Sequence, residues 1–436
     1  MEIIDKIIFP PRHDHILVSD AIIIAITVIY FIYLSFLTGA TLFSAGFIYR
    51  GRTEENPFYT RFGKDLIRMA YSVKGAILLG LLPPLALALA YAQIFYGSGL
   101  EVARFFQPML IFTLIGAGLS LFYCKLLEKT HYLIFQILVA VAAVFFLFLA
   151  AYGLISVNIL SFFPEKWMVI KGSIPHIFDA TQFVRLLHFM VFTLTVTGVS
   201  VLFFTFNLSG GNVDADEQYR DYALKFGAGL ALAGTLLQPL FILWTYKAFP
   251  TIAESLQGYY VAAGLMAVLY VLSVVLYLVL ANKNPRLGSL AYVLMVLATL
   301  VLVVDDTIAR RTGVKEQYLY LQDEAAKFEE KLALEREELK SAGGEISVAR
   351  GEQIYNARCT SCHQFDKRVV GPPHVEVLPK YVGKPDELVK FILNPVKVNP
   401  DYPPMPNLGL SQQDAEAVAK YLLDRYQKYQ AQQGKQ

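Results

Sequence analysis

The chain has 436 residues, 55% of them hydrophobic and only 17% charged, and its mean hydropathy is +0.46. That is too apolar for an ordinary pair of soluble domains and points to an integral membrane protein with a soluble tail. The formal net charge of +2 carries no argument for nucleic acid, and three cysteines are too few for a disulfide framework.

Apolar runs predict eight membrane spans, over 17–45, 70–95, 106–124, 131–153, 180–207, 221–246, 260–281 and a short last one at 288–304. The first run lacks the basic start and small-residue cleavage site of a signal peptide and is too long for one, and the even number of spans places both termini on one side of the membrane. Basic residues select that side. Arg50, Arg52, Arg61, Lys64 and Arg68 crowd the first loop, Lys125 and Lys129 the third, and Lys283 and Arg286 the seventh, whereas the loop near 96–105 offers only Arg104. Loops one, three and seven are therefore expected in the cytoplasm, and both termini on the periplasmic face of a bacterial inner membrane. The acidic fifth loop, 209–219, opposes this reading. In loop four, the segment from Phe162 to Trp167 combines aromatic and basic residues as a stretch at the bilayer surface does, with or without a quinone entrance beneath it. Cys124, at the end of an apolar run, reads as a buried thiol.

His188 lies well inside the fifth span, where an imidazole is costly without a partner. His13, His15 and His176 gather at the same periplasmic end. Together they predict a b-type haem near that face, one or two in number, with His188 as first ligand, His15 as second and Met266 of span seven as a rival at similar depth. Arg185, one turn nearer the face, is a candidate partner for a haem propionate. The alternative is that the outer histidines are interfacial polar residues and His188 bonds a backbone carbonyl. His131 stands alone at the cytoplasmic start of span four, so electron transfer is expected to run laterally and outward rather than across the bilayer. Asp20, Lys74, Glu165, Asp305 and Asp306 are the available proton acceptors for quinol chemistry, each also readable as an interfacial charge.

Through its early histidine, its His188 region from Arg185 to Gly198 and its helix topology, the membrane half resembles subunit I of the bd-type quinol oxidase superfamily. The resemblance implies His15, His188 and Met266 as haem ligands and quinol oxidation near the outer surface. The chain departs from that pattern in having no long loop between spans six and seven, no Glu-rich oxygen-site pattern and one span fewer.

From about Gln317 to Lys340 the sequence turns charged and strongly helical, with Leu321, Ala325, Phe328, Leu332 and Leu339 along one stripe and a Lys331–Glu335 pair in support. This reads as an extramembrane helix that either swings the tail or packs on a partner subunit. Gly343-Gly344 ends it.

Beyond it, Cys359-Thr-Ser-Cys362-His363 has the spacing for covalent attachment of a c-type haem, two thiols taking the vinyl groups and the histidine the iron. Met405, held in Pro403-Pro404-Met405-Pro406, is the expected distal ligand, with His374 as the rival and expected to face solvent. Ser411 and Asp414 cap a last helix whose inward face is Ala415, Val418, Ala419 and Leu422. From Gly351 to Tyr426 the tail resembles a class I monohaem cytochrome c. The resemblance implies that Pro372 supports the outer nitrogen of His363 through its carbonyl, and that Gly351, Tyr355, Tyr421 and Leu422 belong to a crossing of first and last helices.

The expected fold is all-α: an eight-helix transmembrane bundle (1–308), an extramembrane helical connector (309–344) and a cytochrome c domain (345–436). The expected function is electron transfer between the quinone pool, through haem b, and a periplasmic redox partner, through one haem c, beside companion membrane or periplasmic subunits. The alternatives are a quinone-independent anchor and electron wire of a larger oxidoreductase complex, and a bd-like terminal oxidase subunit.

Overall fold

The computed structural model describes residues 11–98, 103–129, 132–164, 167, 180–208, 217–341 and 346–433. Expectations placed on His131, Glu165 and His176 lie outside them. The chain is all-α and divides into two compact units, Met1–Ala326 and Lys327–Gln436.

Among the described residues, eight helices of the first unit are long and apolar enough to cross a membrane, as the sequence predicts. They are α1 (His13–Thr53), α3 (Val73–Ile94), α4 (Ala103–Lys129), α5 (Leu133–Leu160), α6 (Ala180–Phe203), α7 (Glu217–Ala248), α8 (Leu256–Asn282) and α9 (Leu287–Gly313). Their outer faces carry exposed Leu89, Ile134, Leu138, Leu243 and Tyr270, an apolar surface suited to lipid. Helix α6 is the most enclosed. Small residues let its backbone close on α7: a Cβ on Gly198 would stand 2.3 Å from the Gly227 carbonyl oxygen and 2.5 Å from the Ala231 nitrogen.

Two elements differ from the sequence expectation. The basic first loop is largely a helix, α2 (Pro57–Ala70), opened by Pro57 and by the Asn56 side chain accepting from the Phe58 amide at 3.0 Å. It buries Phe62, Leu66 and Ile67 and turns Arg61, Lys64 and Arg68 outward, an amphipathic pattern that hydropathy alone reads as loop. The last span is not short. Helix α9 continues through Asp305, Asp306 and Arg310, all buried, to Gly313, because Asp306 meets Arg185, Arg310 meets Asp20, and Asp305 takes a hydrogen bond from Tyr246. After the single residue Val314 the connector helix α10 (Lys315–Ser341) begins, with Leu321 and Ala325 buried.

The second unit is built on α11 (Val348–Arg358), α12 (His374–Val377), α13 (Pro385–Leu393) and α14 (Gln412–Gln433). α11 crosses α14 so closely that a Cβ on Gly351 would lie 2.0 Å from the Ala417 carbonyl oxygen. The Tyr355 and Tyr421 rings meet at 5.4 Å beside the crossing. Ala415, Val418, Ala419 and Leu422 face the core, and Ser411 Oγ accepts from the Asp414 amide at 3.1 Å.

Candidate functional site

In the second unit α11 delivers the attachment motif. Ser347 caps its start, accepting from the Arg350 amide at 3.2 Å, and the chain keeps turning past its end: the Cys359 amide donates to Tyr355 O at 2.8 Å and the His363 amide to Cys359 O at 2.9 Å. The Gly371 amide returns to Cys362 O at 2.8 Å, which closes residues 363–370 into a compact loop and lays Gly371-Pro372 against the histidine. His363 Nδ1 lies 3.1 Å from the Pro372 carbonyl oxygen, the contact implied by the cytochrome resemblance. This contact favours the proton on Nδ1 and leaves Nε2 as the free electron pair. Gly371 is required by space. A Cβ there would stand 2.2 Å from His363 Cε1.

His363 forms one part of the wall of a cavity of about 480 Å³, which Cys359, Cys362 and Met405 also line. The rest of its lining is mostly apolar, including Leu378, Phe391, Ile392 and Val418. Both thiols are free, and burial pushes that of Cys359 up, with Cys362 adding to the effect. A volume inside the range of cofactor sites, two free thiols, an imidazole held by its outer nitrogen and a glycine cradle together fit a covalent haem.

His374 departs from its expected exposure. It is buried, its ring stacks on His363 at 5.0 Å between centroids, and Tyr355 lies 5.4 Å away. The Gly371-Pro372-Pro373 turn folds it inward, onto His363. Burial, with His363 and Arg425 nearby, pushes it down to about 3.

In the membrane unit, His188 is buried beside Phe241, and its Nε2 has no hydrogen-bond partner. It borders a cavity of about 60 Å³ together with Arg185, Asn158, Tyr246, Asp305 and Asp306. Arg185 makes a two-pronged contact with Asp306, at 2.6 and 3.0 Å, and Asn158 donates to the same carboxylate at 2.5 Å. A second cluster holds Asp20 between Arg310 at 2.6 Å and Arg311 at 2.7 Å. His15 is exposed at the start of α1, and Met266 packs with Ile242, Leu265 and Leu269. The structure thus brings Arg185 to His188 but commits its guanidinium to Asp306. Sequence reasoning missed Arg310, Asn158 and Tyr246. Three aspartates and three arginines at corresponding ends of spans one, five and eight were the available signal.

Comparison with known proteins bears on the second unit. A family model described as cytochrome C oxidase, cbb3-type, subunit III matches residues 347–422. Cytochrome c-551 of Pseudomonas denitrificans is 33% identical over 78 residues, 17% of this chain and 94% of the relative. Cytochrome c-551 of Azotobacter vinelandii is 35% identical over 77 residues, again 17% and 94%. Cytochrome c-552 of Nitrosomonas europaea is 33% identical over 70 residues, 15% and 67%. No solved structure matches. These matches lend no support to the bd-type likeness of the membrane half.

Proposed function

Because the chain belongs to the cytochrome c family through its carboxy-terminal unit, we propose that it is the membrane-anchored electron carrier of a larger oxidoreductase complex. It exchanges electrons with a redox partner on the periplasmic side of a bacterial inner membrane. The observation that carries this reading is the shared wall: Cys359, Cys362, His363 and Met405 all line one apolar cavity. Cys359 and Cys362 would hold a haem c covalently, His363 and Met405 would bind its iron, and the group would supply reversible one-electron chemistry. The protein fixes the geometry. Pro372 and Gly371 orient the imidazole, and the mostly apolar lining would keep water from a bound porphyrin.

The membrane half is then an anchor and docking platform, and electrons reach it from companion subunits. A second reading, in which quinol feeds the carrier through haem b on His188, His15 or Met266, draws on the unpartnered His188 Nε2. Reduction of the purified chain by a short-chain quinol separates the two. The anchor reading expects the haem c to stay oxidised until a companion complex is added; prompt reduction of the isolated chain favours the second.

A further inference from the structure

Among the described residues, the buried charges of the membrane unit pair off with one remainder. Arg310 sits against Asp20, their side chains 1% and 2% exposed, and Arg185 against Asp306, both 11% exposed. The third arginine, Arg311, also reaches Asp20 but is 47% exposed, so water solvates its charge. Asp305 is left. Its residue is 5% exposed, and its hydrogen-bond partner is a phenol rather than a cation. A lone carboxylate in a membrane interior costs several kcal/mol, and proteins relieve the cost by taking up a proton.

The phenol's own bonds agree. Tyr246 Oη lies 2.6 Å from Asp305 Oδ1 and 3.0 Å from the Gly258 carbonyl oxygen. A tyrosine has one proton to give and here faces two acceptors. If Asp305 carries a proton, it donates to Tyr246 Oη, Tyr246 donates to Gly258 O, and both contacts are satisfied at once. Across the small cavity waits His188 Nε2, buried and without a partner, an acceptor or donor that a single water could reach.

We propose that this cavity is a proton-binding site, in which Asp305 takes up one proton from water and shares it, through bound water, with His188. The step is a simple one: an O–H bond forms on the carboxylate, hydroxide or a deprotonated buffer is left behind, and no electron moves. The groups that face Asp305 are Tyr246 from α7, Arg185 and His188 from α6, Asn158 from α5 and its neighbour Asp306 on α9. Of these only Arg185 is a fixed cation, and Asp306 already holds it.

Infrared difference spectroscopy of the full chain in lipid nanodiscs, recorded between acid and alkaline pH, tests the site. The expected result is a protonated-carboxyl C=O band at neutral pH that shifts in deuterium oxide, disappears in Asp305→Asn, and titrates at a different pH in His188→Phe. Retained haem c absorbance and unchanged elution show that each variant is folded. Should Asp305→Asn not accumulate, Tyr246→Phe serves: loss of the acceptor oxygen moves the same band to higher frequency. Absence of the band at neutral pH, its persistence in Asp305→Asn, or its indifference to both His188→Phe and Tyr246→Phe overturns the proposal.

Discussion

At the level of single residues, the haem site rests on contacts that allow little substitution. Gly371 has no room for a methyl group against His363 Cε1, so Gly371→Ala is expected to push the imidazole off the Pro372 carbonyl. Covalent attachment through Cys359 and Cys362 should survive, while the axial bond weakens. The check is the low-spin optical spectrum of the purified chain, with a lower midpoint potential as the expected result and an unchanged potential as the contrary one. Met405→Ala should leave the haem attached yet open the iron to added carbon monoxide or imidazole, read by ligand titration. The grouping of these residues was legible because it is local: Cys359, Cys362 and His363 fall within five positions, and the structure sets Met405 on the wall of the same cavity. His374 was not legible in the same way. Its burial follows from a turn that only the hydrogen bonds from Val370, Gly371 and His374 back to Cys362 and Gln364 define.

Individual elements show where hydropathy stops being a guide. Helix α9 reads as ending near residue 304 because acidic and basic residues follow, yet it runs on to Gly313. Their partners lie 121 and 290 positions away in sequence, at Arg185 and Asp20, which no local window can see. Removing Asp20 leaves the buried Arg310 without its carboxylate partner. Asp20→Leu is expected to lower the stability of the membrane unit by about 3–5 kcal/mol, measured as loss of the folded fraction in a denaturant titration in detergent, and Asp20→Asn with Arg310→Gln should recover part of it.

The α11–α14 crossing is the corresponding element of the second unit. Gly351→Ala sets a methyl against the Ala417 backbone and should cost about 1–3 kcal/mol, seen as a lower midpoint of thermal unfolding of the haem unit. The Arg350–Asp414 pair at the same crossing adds a pH dependence. Burial alone would raise the Asp414 carboxyl, but hydrogen bonds from Arg350 and Ser411 outweigh it and hold it below the usual carboxylate range. A depressed carboxylate stabilises above its unfolded value of about 3.9 and loses that contribution as pH falls through the folded value. Both side chains are about one-quarter exposed, so the effect is small, within about 1 kcal/mol. Asp414→Asn should flatten this acid limb of the stability curve and leave the neutral limb lower.

For the whole molecule, the sequence conveyed the division of labour better than the chemistry of the membrane half. Eight apolar helices and a haem-binding tail follow from composition and one short motif. The b-type haem on His188 rested on the cost of a buried imidazole, and the structure surrounds that imidazole with a small, partly polar cavity in which Arg185 is committed to Asp306. A histidine at depth announces polar surroundings; it does not say whether they are a cofactor, an ion pair or water.

Acid–acetone extraction of the purified full-length chain, followed by pyridine haemochrome spectra of both fractions, separates covalent from non-covalent haem in one measurement. The account predicts one c-type haem per chain in the protein fraction and none in the extract. A stoichiometric b-type haem in the extract, lost in His188→Ala, would contradict it.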